Sequence, residues 1–181
     1  LFGESVSLSS DGNTVAIGAT GYGNTNFGQV RIYENTGGSW SQIGQGIDGE
    51  AYGDRSGNSV SISSDGNTVA IGAQSNDGNG NSSGHVRIYE NIASIWSQIG
   101  NDIDGEAAGD QSGWSVSLSS DGQTVAIGAV SNVGAAGNFG GHVRIYENIG
   151  GSWSQIGDDI DGGANWDQFG ASVSLNTDGN T

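Results

Sequence analysis

The sequence predicts an all-β fold, a β-propeller built of four-stranded antiparallel blades, and three observations lead to that prediction. A segment reading SVSISSDGNTVAIGA at residues 59–73 recurs from Ser5, from Ser115 and, in shortened form, from Ser172, at spacings of 54, 56 and 57 residues. Apolar and polar residues alternate in short runs, which is the pattern of half-buried strands. Four such runs fill each period, as they do in a propeller blade.

The repeat units are residues 5–58, 59–114 and 115–171, followed by the start of a fourth at 172–181. The predicted strands of the second unit are SVSIS (59–63), TVAIGA (68–73), HVRIYEN (85–91) and IWSQIG (95–100). Propellers have roughly four to eight blades, so about three blades and the start of a fourth predict a fragment of a larger ring. The remaining blades are expected from the same chain or from a second copy.

An Asp-Gly pair separates the first two strands of every unit. The pairs begin at Asp11, Asp65, Asp121 and Asp178. Asp-Gly tolerates the positive φ of a tight hairpin turn, so these aspartates are predicted to form turns. The small residues of the second strand, such as Gly72, are predicted to let neighbouring sheets approach closely.

The composition restricts the partners of the chain. Twenty carboxylates and four arginines give a formal net charge of −16. This charge repels nucleic acids and anionic membranes, so cations are the expected small partners. The chain has no cysteine, which excludes disulfides and thiolate metal sites. No run approaches the roughly 18 apolar residues of a membrane span.

The units differ in length at one loop only, between the second and third strands. This loop has nine residues at 20–28, eleven at 74–84 and twelve at 130–141. Because these loops occupy the same position in every unit, they are expected to lie on one rim of the assembly. Repeat proteins often bind their partners through such a rim. The predicted contact residues are Tyr22, Phe27, Asn76, Asp77, Asn79 and Phe139. The alternative is that these are surface loops without a function.

An acidic connector at the end of each unit is the predicted calcium site. Its candidate ligands are Asp48, Glu50, Asp54, Asp104, Glu106, Asp110, Asp161 and Asp167. Several carboxylates in a Gly-rich loop can surround a hard cation such as Ca²⁺. The alternatives are a solvated acidic rim and a network of turns. The third connector has Gly163 in place of the glutamate, which weakens the calcium prediction.

Other recurring residues have simpler interpretations. Trp40, Trp96 and Trp153 are predicted to fill space between blades, and Arg31, Arg87 and Arg144 to anchor ion pairs. His85 and His142 occupy one position of the repeat, but Gln29 replaces histidine in the first unit. Near-identical units offer none of the asymmetry that a catalytic site needs, so the chain is predicted not to be an enzyme.

Several segments resemble the FG-GAP repeat, the blade of integrin α-chain propellers and of many bacterial surface proteins. The matching segments are FGESV (2–6), IGA (17–19), GQVRIY (28–33) and FGASV (169–173). The resemblance implies a seven-bladed ring and an extracellular or cell-surface location. The chain departs from the family at Ser56-Gly57 and Ser112-Gly113, where Phe-Gly is usual, and it lacks the proline after Gly-Ala. The family's calcium loop in the first hairpin is also missing.

These observations favour a non-catalytic binding or adhesion module of a secreted or surface protein. Its partner, a protein or another surface ligand, would contact the variable loops. Two alternatives stay open at this point. One is a lectin-like module that binds glycans through the loop aromatics, and the other is a structural spacer in a large surface or secretion assembly.

Overall fold

The computed structural model describes residues 3–21, 26–134 and 139–180. In these ranges the chain forms fifteen β-strands and no helix, and hence no helix there is long and apolar enough to cross a membrane. The strands form three five-stranded antiparallel sheets, one for each predicted full unit. The all-β prediction is therefore confirmed.

Each sheet takes its strands from one unit. The first contains β1 (Ser5–Leu8), β2 (Thr14–Ala19), β3 (Gln29–Thr36), β4 (Ser39–Gln42) and β5 (Ile47–Asp48). The second contains β6 (Ser59–Ile62), β7 (Thr68–Ala73), β8 (His85–Ile92), β9 (Ile95–Gln98) and β10 (Ile103–Asp104). The third contains β11 (Ser112–Leu118), β12 (Thr124–Ala129), β13 (His142–Ile149), β14 (Ser152–Gln155) and β15 (Ile160–Asp161).

Each unit has a short fifth strand beyond the predicted fourth strand, so that two strands form the outer edge of the sheet. In the first sheet β4 pairs with the far half of β3, where Tyr33 lies opposite Gln42. The two-residue β5 pairs with the start of β3, where Ile47 lies opposite Val30. Gly44 stands between β4 and β5 at φ +67°, a left-handed conformation that favours glycine. The outer edge of the blade is therefore broken, while the four-stranded order is kept.

Neighbouring sheets pack face to face through apolar cores. Val30 and Ile32 of the first unit pack against Val60 and Ile71 of the second. A core of the same kind lies between the second and third sheets. These contacts explain the repetition of the unit, because one sheet cannot bury both of its faces alone.

The first strands of neighbouring units are also cross-linked. The Ser59 hydroxyl donates to the Gly113 carbonyl at 2.8 Å, and the Ser61 hydroxyl accepts the Leu118 amide at 2.9 Å. A Cβ on Gly72 would lie 2.1 Å from the Gly113 carbonyl oxygen. Only glycine permits this approach, which confirms the predicted role of the small residue.

The Asp-Gly turns are held by side-chain hydrogen bonds. The Ser9 hydroxyl donates to the Asp11 carboxylate at 2.7 Å, and the Asn13 amide donates to it at 2.9 Å. These bonds hold the pKa of Asp11 below its usual range. The Ser119 hydroxyl lowers the pKa of Asp121 in the same way. The predicted role of these aspartates in turns is confirmed.

The start of the fourth unit docks on the third sheet. Residues 172–180 form no strand. The Leu175 amide nevertheless donates to the Ser117 hydroxyl at 3.0 Å, and the Ser115 hydroxyl donates to the Gly170 carbonyl at 2.7 Å. Equivalent hydrogen bonds join the second sheet to the third. The geometry of the repeat therefore continues into residues 170–175.

Two sheet faces are open to solvent. Val6 of the first sheet is 64% exposed, whereas its counterpart Val60 is buried. Ile160 of the third sheet is exposed, whereas its counterpart Ile103 is buried. Each open face carries the residue types that pack between neighbouring sheets elsewhere in the molecule.

The chain reverses at two opposite edges of each sheet. The Asp-Gly turns and the turns between the third and fourth strands of each unit lie at one edge. The variable loops, which follow the second strand, and the connectors, which follow β5, β10 and β15, lie at the other. We call this second edge the loop rim; it consists of loops 20–28, 74–84 and 130–141 with connectors 49–58, 105–111 and 162–171.

Candidate functional site

The loop rim is continuous because the loop and the connector of each unit hydrogen-bond to each other. In the first unit the Arg55 amide donates to the Asn26 carbonyl at 3.0 Å. In the third unit the Trp166 amide donates to the Phe139 carbonyl at 2.8 Å. The second unit repeats this pattern. The predicted gathering of the variable loops on one rim is thus confirmed.

Two aromatic pairs stand on the loop rim. The rings of Phe139 and Trp166 are stacked, with centroids 5.1 Å apart and an interplanar angle of 16°. Phe27 meets Tyr52 edge to face, with centroids 6.5 Å apart. Tyr52 and Trp166 are 72% and 70% exposed. Their rings are therefore available to a partner.

Trp166 has a backbone conformation that the other units assign to glycine. Its φ is +67°, and the equivalent residues Gly53 and Gly109 have φ of +95° and +90°. A bulky residue at positive φ is strained. The requirements of the turn alone therefore favour glycine over tryptophan at this position.

The structure places two of the predicted aromatic contact residues at these pairs. Phe27 and Phe139 each belong to one of them. Tyr22 lies outside the described residues. Tyr52 and Trp166 were not predicted, because they lie in the connectors rather than in the variable loops.

The predicted contact residues of the second loop are mostly engaged within the rim. Asn76 is 4% exposed, and its amide donates to the Asp54 carboxylate at 3.0 Å. Asn79 is exposed, and its amide donates to the Gly105 carbonyl at 2.9 Å. Asp77 is exposed and accepts a backbone amide of its own loop at 2.8 Å. Asn76 therefore stabilises the loop from inside and does not belong to its contact surface.

A cluster of polar side chains lies between the first and second sheets, beside the loop rim. It consists of Glu50 from the first connector, His85 at the start of β8, and Asp102 just before β10. One ligating atom of each lies within 4.8 Å of the other two. His85 Nδ1 is 3.5 Å from Asp102 Oδ2 and 4.0 Å from Glu50 Oε2. We call this the first boundary cluster, because two units contribute to it.

His85 is buried and incompletely bonded. Its residue exposure is 3%, and its Nδ1 has no hydrogen-bond partner among the described residues. Burial lowers the pKa of His85 below the ordinary histidine value, and the charge of Arg87 adds to this effect. The nearby carboxylates Asp102 and Glu50 oppose it. The net effect favours the neutral form of the imidazole.

Arg87 holds the two carboxylates of the first boundary cluster. It donates to Asp102 through Nε at 2.9 Å and through Nη2 at 2.8 Å, and it forms an ion pair with Glu50. Burial disfavours the charged forms of both Arg87 and Asp102. The hydrogen bonds nevertheless raise the pKa of Arg87 and lower that of Asp102. The predicted ion-pair role is confirmed for Arg87.

A second boundary cluster lies between the second and third sheets. It consists of Glu106, His142 and Asp159, again with one ligating atom of each within 4.8 Å of the others. His142 Nδ1 is 3.6 Å from Asp159 Oδ2 and 3.8 Å from Glu106 Oε2. His142 is 1% exposed, and its Nδ1 also has no partner among the described residues. Burial, followed by the charge of Arg144, lowers the pKa of His142.

The carboxylates predicted to bind calcium divide into three sets. Glu50 and Glu106 lie in the boundary clusters. The connector aspartates Asp54, Asp110 and Asp167 each accept the backbone amide of the residue three positions earlier, at 2.7 to 2.9 Å. These aspartates close the turn of the connector. Calcium binding by the connectors stays a prediction.

The remaining three carboxylates lie on the short fifth strands. Asp48, Asp104 and Asp161 stand opposite Gln29, His85 and His142 respectively. Asp48 accepts the Gln29 amide at 2.6 Å, and burial raises the pKa of Asp104. Within the described ranges, two groups of three metal-ligating residue types form, and both are boundary clusters.

Sequence reasoning missed Asp102 and Asp159 and gave no role to the two histidines. A signal was present in the repeat itself. His85 and Asp102 occur together in the second unit, as do their counterparts in the third, and the first unit replaces both, with Gln29 and Gly46. Paired replacement within a repeat indicates that two positions interact.

Comparisons with known proteins agree with this architecture. Residues 47–89 match the FG-GAP repeat family. Similar solved structures include a proposed 6-phosphogluconolactonase from Bacteroides uniformis, with a TM-score of 0.58 and 13% identity over 89% of this chain and 40% of that one. Saccharomyces cerevisiae Sqt1 gives a TM-score of 0.52 and 14% identity over 87% of this chain and 35% of its own. A search of curated proteins found no significant match.

The fold and the comparisons define a propeller-type module whose sheets are arranged as consecutive blades. Within this module, residues 47–89 are similar to the FG-GAP repeat. The chain spans only 40% and 35% of the two solved proteins. At identities of 13% and 14%, the likeness to them shows the fold alone.

Proposed function

We propose that this chain is a non-catalytic recognition module of a secreted or cell-surface protein. It contacts a protein partner through the loop rim. The extracellular location is supported by the FG-GAP match, because such repeats occur in extracellular and surface proteins. The recognition role is supported by the exposed aromatic pairs of the loop rim, which are described above.

The Phe139–Trp166 pair is the observation that carries the proposal. The ring of Trp166 is 70% exposed although it is stacked on Phe139. Large exposed aromatic side chains are enriched at the centres of protein interfaces, where they supply much of the binding energy. The positive φ of Trp166 adds a second argument, since strained residues that the fold does not require cluster at functional sites.

The surroundings of this pair suit a specific contact. The variable loop and the connector are joined by backbone hydrogen bonds, such as that from the Phe169 amide to the Gly140 carbonyl at 2.8 Å. The Asn165 side chain also accepts the Phe139 amide at 3.0 Å. These bonds fix the backbone that carries the rings, which lowers the entropy lost on binding.

A glycan ligand is the second candidate. A flat, exposed and rigid aromatic surface can stack against the apolar face of a sugar ring, and two stacked rings extend that surface. The polar loop residues Asp77 and Asn79 are exposed on the loop rim, and their side-chain oxygens can accept hydrogen bonds from hydroxyl groups. A glycan would bind to the same loop rim as a protein partner, and the two candidates differ only in the chemistry of the ligand.

The test is an array that carries purified extracellular-matrix proteins and purified glycans. Labelled wild-type chain is compared with Trp166→Gly, which restores the residue that the other two units have. The matched control is Ile149→Ser, which removes an exposed apolar side chain at the opposite edge of the same sheet. Because Trp166→Gly relieves strain, the variant is expected to be at least as stable as the wild type.

We expect saturable binding to one or more matrix proteins, weakened roughly tenfold or more by Trp166→Gly and unchanged by Ile149→Ser. Saturable binding to glycans alone, with the same response to the variants, would establish the second candidate instead. If neither class binds, or if Trp166→Gly binds as well as the wild type, the loop rim is not the recognition surface.

A further inference from the structure

We infer that each boundary cluster is a binding site for a divalent transition-metal ion of the Zn²⁺ type, held between two blades by one histidine and two carboxylates. The ligands are Glu50, His85 and Asp102 at the first site, and Glu106, His142 and Asp159 at the second. This inference goes beyond the proposed recognition function. It shares Glu50 and Glu106 with the calcium prediction for the connectors and differs from it in the other ligands and in the class of ion.

The distances suit such an ion. Zn²⁺ binds imidazole nitrogen and carboxylate oxygen at about 2.0–2.2 Å, so two ligand atoms in a tetrahedral site are roughly 3.4 Å apart. Nδ1 of His85 and Oδ2 of Asp102 are 3.5 Å apart, and the corresponding atoms of the second site are 3.6 Å apart. The glutamate oxygens, at 4.0 and 3.8 Å from the imidazoles, need only a small movement of partly exposed side chains.

The buried imidazoles are the observation that points to a ligand. Nδ1 of His85 and Nδ1 of His142 are both buried and lack a hydrogen-bond partner among the described residues. Buried polar atoms in native proteins are almost always paired, so an unpaired one requires an explanation. Each Nδ1 faces two carboxylates of its own cluster. A cation bound by all three groups would give the buried imidazole nitrogen the partner that it lacks.

The charges also favour a cation at the first site. Glu50 and Asp102 carry two negative charges, and Arg87 supplies one positive charge. The carboxylates of the cluster therefore outnumber the cationic side chain beside them. Asp104 stands opposite His85 in the sheet and adds negative charge nearby.

Neighbouring side chains orient the ligands in the way that outer-shell residues do in known metal sites. At the first site Gln98 donates to Asp102 Oδ1 at 2.7 Å and Asn76 lies 3.4 Å from Glu50 Oε2. At the second site Gln155 and Asn132 take the same places beside Asp159 and Glu106, at 2.7 and 3.4 Å. The glutamine and asparagine that contact the carboxylates are therefore repeated along with the three ligands.

The first unit lacks the histidine and the aspartate of the boundary clusters and still forms the same sheet. Gln29 and Gly46 replace the histidine and the aspartate there, and the Gln29 amide donates to Asp48 at 2.6 Å while its oxygen accepts from Arg31 at 2.6 Å. The glutamine is thus satisfied within its own sheet. This natural replacement provides a variant that the fold accepts.

The second site has a route for an ion. A cleft open to solvent is lined by Glu106 and Asp159 of the cluster and by the neighbouring acids Asp158 and Asp161. Converging carboxylates raise the local concentration of cations at the mouth of a cleft. An ion can therefore reach the two carboxylates of this cluster from solvent.

The test is calorimetric titration of the chelator-treated chain with Zn²⁺. The variants are His85→Gln, His142→Gln and the double variant, all of which introduce the residue that Gln29 provides in the first unit, with circular dichroism as the check of folding. A second pair compares Glu50→Gln with Glu90→Gln, an identical charge change on an exposed strand residue. Ca²⁺ is titrated in parallel, and Co²⁺ is added to report coordination through its visible absorption.

The wild type is expected to bind two Zn²⁺ ions per chain, each single histidine variant one, and the double variant none. Glu50→Gln should weaken one site at least about tenfold, Glu90→Gln should weaken neither, and Co²⁺ should give ligand-field bands that the double variant lacks. The inference is wrong if micromolar Zn²⁺ does not bind to the wild type, or if the double variant keeps both ions. It is also wrong if Ca²⁺ binds with equal affinity and the histidine variants do not alter this.

Discussion

The indole Nε1 of Trp96 donates a hydrogen bond to the main-chain carbonyl of Ile43 at 3.1 Å, across the boundary between the first and second sheets. Trp153 repeats the bond with Ile99 at 3.0 Å across the next boundary. Each ring also packs against the core between its two sheets. The predicted role between blades is therefore confirmed for Trp96 and Trp153, which also join each blade to the preceding one, whereas Trp40 is 49% exposed.

Trp153→Phe is expected to destabilise the chain by about 1–2 kcal/mol. The ring still packs, but the Ile99 carbonyl loses its partner at a partly buried position. Urea denaturation followed by fluorescence measures the change in the free energy of unfolding. Trp40→Phe is the matched control, since Trp40 is about half exposed on the open face of the first sheet, and it should change stability by less than about 0.5 kcal/mol. Equal effects of the two changes would refute the role of the bond.

Gly72→Ala is expected to destabilise the contact between the second and third sheets by about 1–3 kcal/mol, because the added methyl group meets a backbone carbonyl that cannot move freely. The added Cβ would lie 2.1 Å from the Gly113 oxygen. Gly163→Ala is the control: its nearest neighbour, an Asp167 oxygen, would be 3.9 Å from the new Cβ, and its φ is not in the left-handed region. Thermal unfolding distinguishes the two. A melting temperature unchanged by Gly72→Ala would show that the sheets are not packed this closely.

The stability of the turns is expected to depend on pH in acid. The hydrogen bond from the Ser119 hydroxyl holds the pKa of Asp121 below its usual range, whereas the unfolded chain has the ordinary value of about 3.9. The folded state therefore binds this proton less readily than the unfolded state. The stability contributed by Asp121 is complete above about pH 4 and is lost as the pH falls toward the lower, folded-state pKa.

Asp121→Asn should therefore weaken the chain near neutral pH and make unfolding less dependent on pH in acid. Urea midpoints at neutral pH and near pH ~3 measure this difference, which is modest because the carboxylate is partly exposed. Asp158→Asn, at an exposed position outside the turns, should keep the pH dependence of the wild type. If both variants retain that dependence, the turn carboxylates do not cause it.

The open face of the first sheet is expected to drive association. We propose that further blades of the same kind cover it, because Val6 and Leu8 are exposed where their counterparts Val60 and Ile62 are buried against a neighbouring sheet. The isolated chain should self-associate as its concentration rises, and Val6→Ser with Leu8→Ser should reduce this. Light scattering after size exclusion measures the mass, and Ile149→Ser is the control. A chain that stays monomeric at all concentrations would contradict the proposal.

Much of the fold could be predicted from the sequence because its determinants are local and repeated. The alternation around Val60, the Asp-Gly turns and the small residue Gly72 each specify a strand, a hairpin or a close contact within one unit. The short fifth strand was not predicted. It depends on the left-handed conformation of Gly44 and on pairing with the start of β3, which the spacing of apolar residues does not reveal.

The candidate sites were harder to predict because they are assembled from separate segments. Glu50 was predicted as a ligand together with the aspartates of its own connector, and the structure places it beside His85 and Asp102, which lie in the next unit. Trp166 was not predicted as a contact residue, because it does not recur at the equivalent position of the other connectors. Comparing equivalent positions across the units would have marked these residues, since the first unit lacks the histidine and aspartate, and only the third carries the tryptophan.

The central claim is that neighbouring units pack as blades and that each boundary assembles one cluster from two of them. The most direct test is an anomalous difference map, recorded at the zinc absorption edge, from crystals of this chain grown with Zn²⁺. The account predicts two peaks, beside Nδ1 of His85 and beside Nδ1 of His142, each between adjacent sheets, and none beside Gln29. Peaks confined to the connector turns at Asp54 and Asp110, or no peak between the sheets, would contradict it.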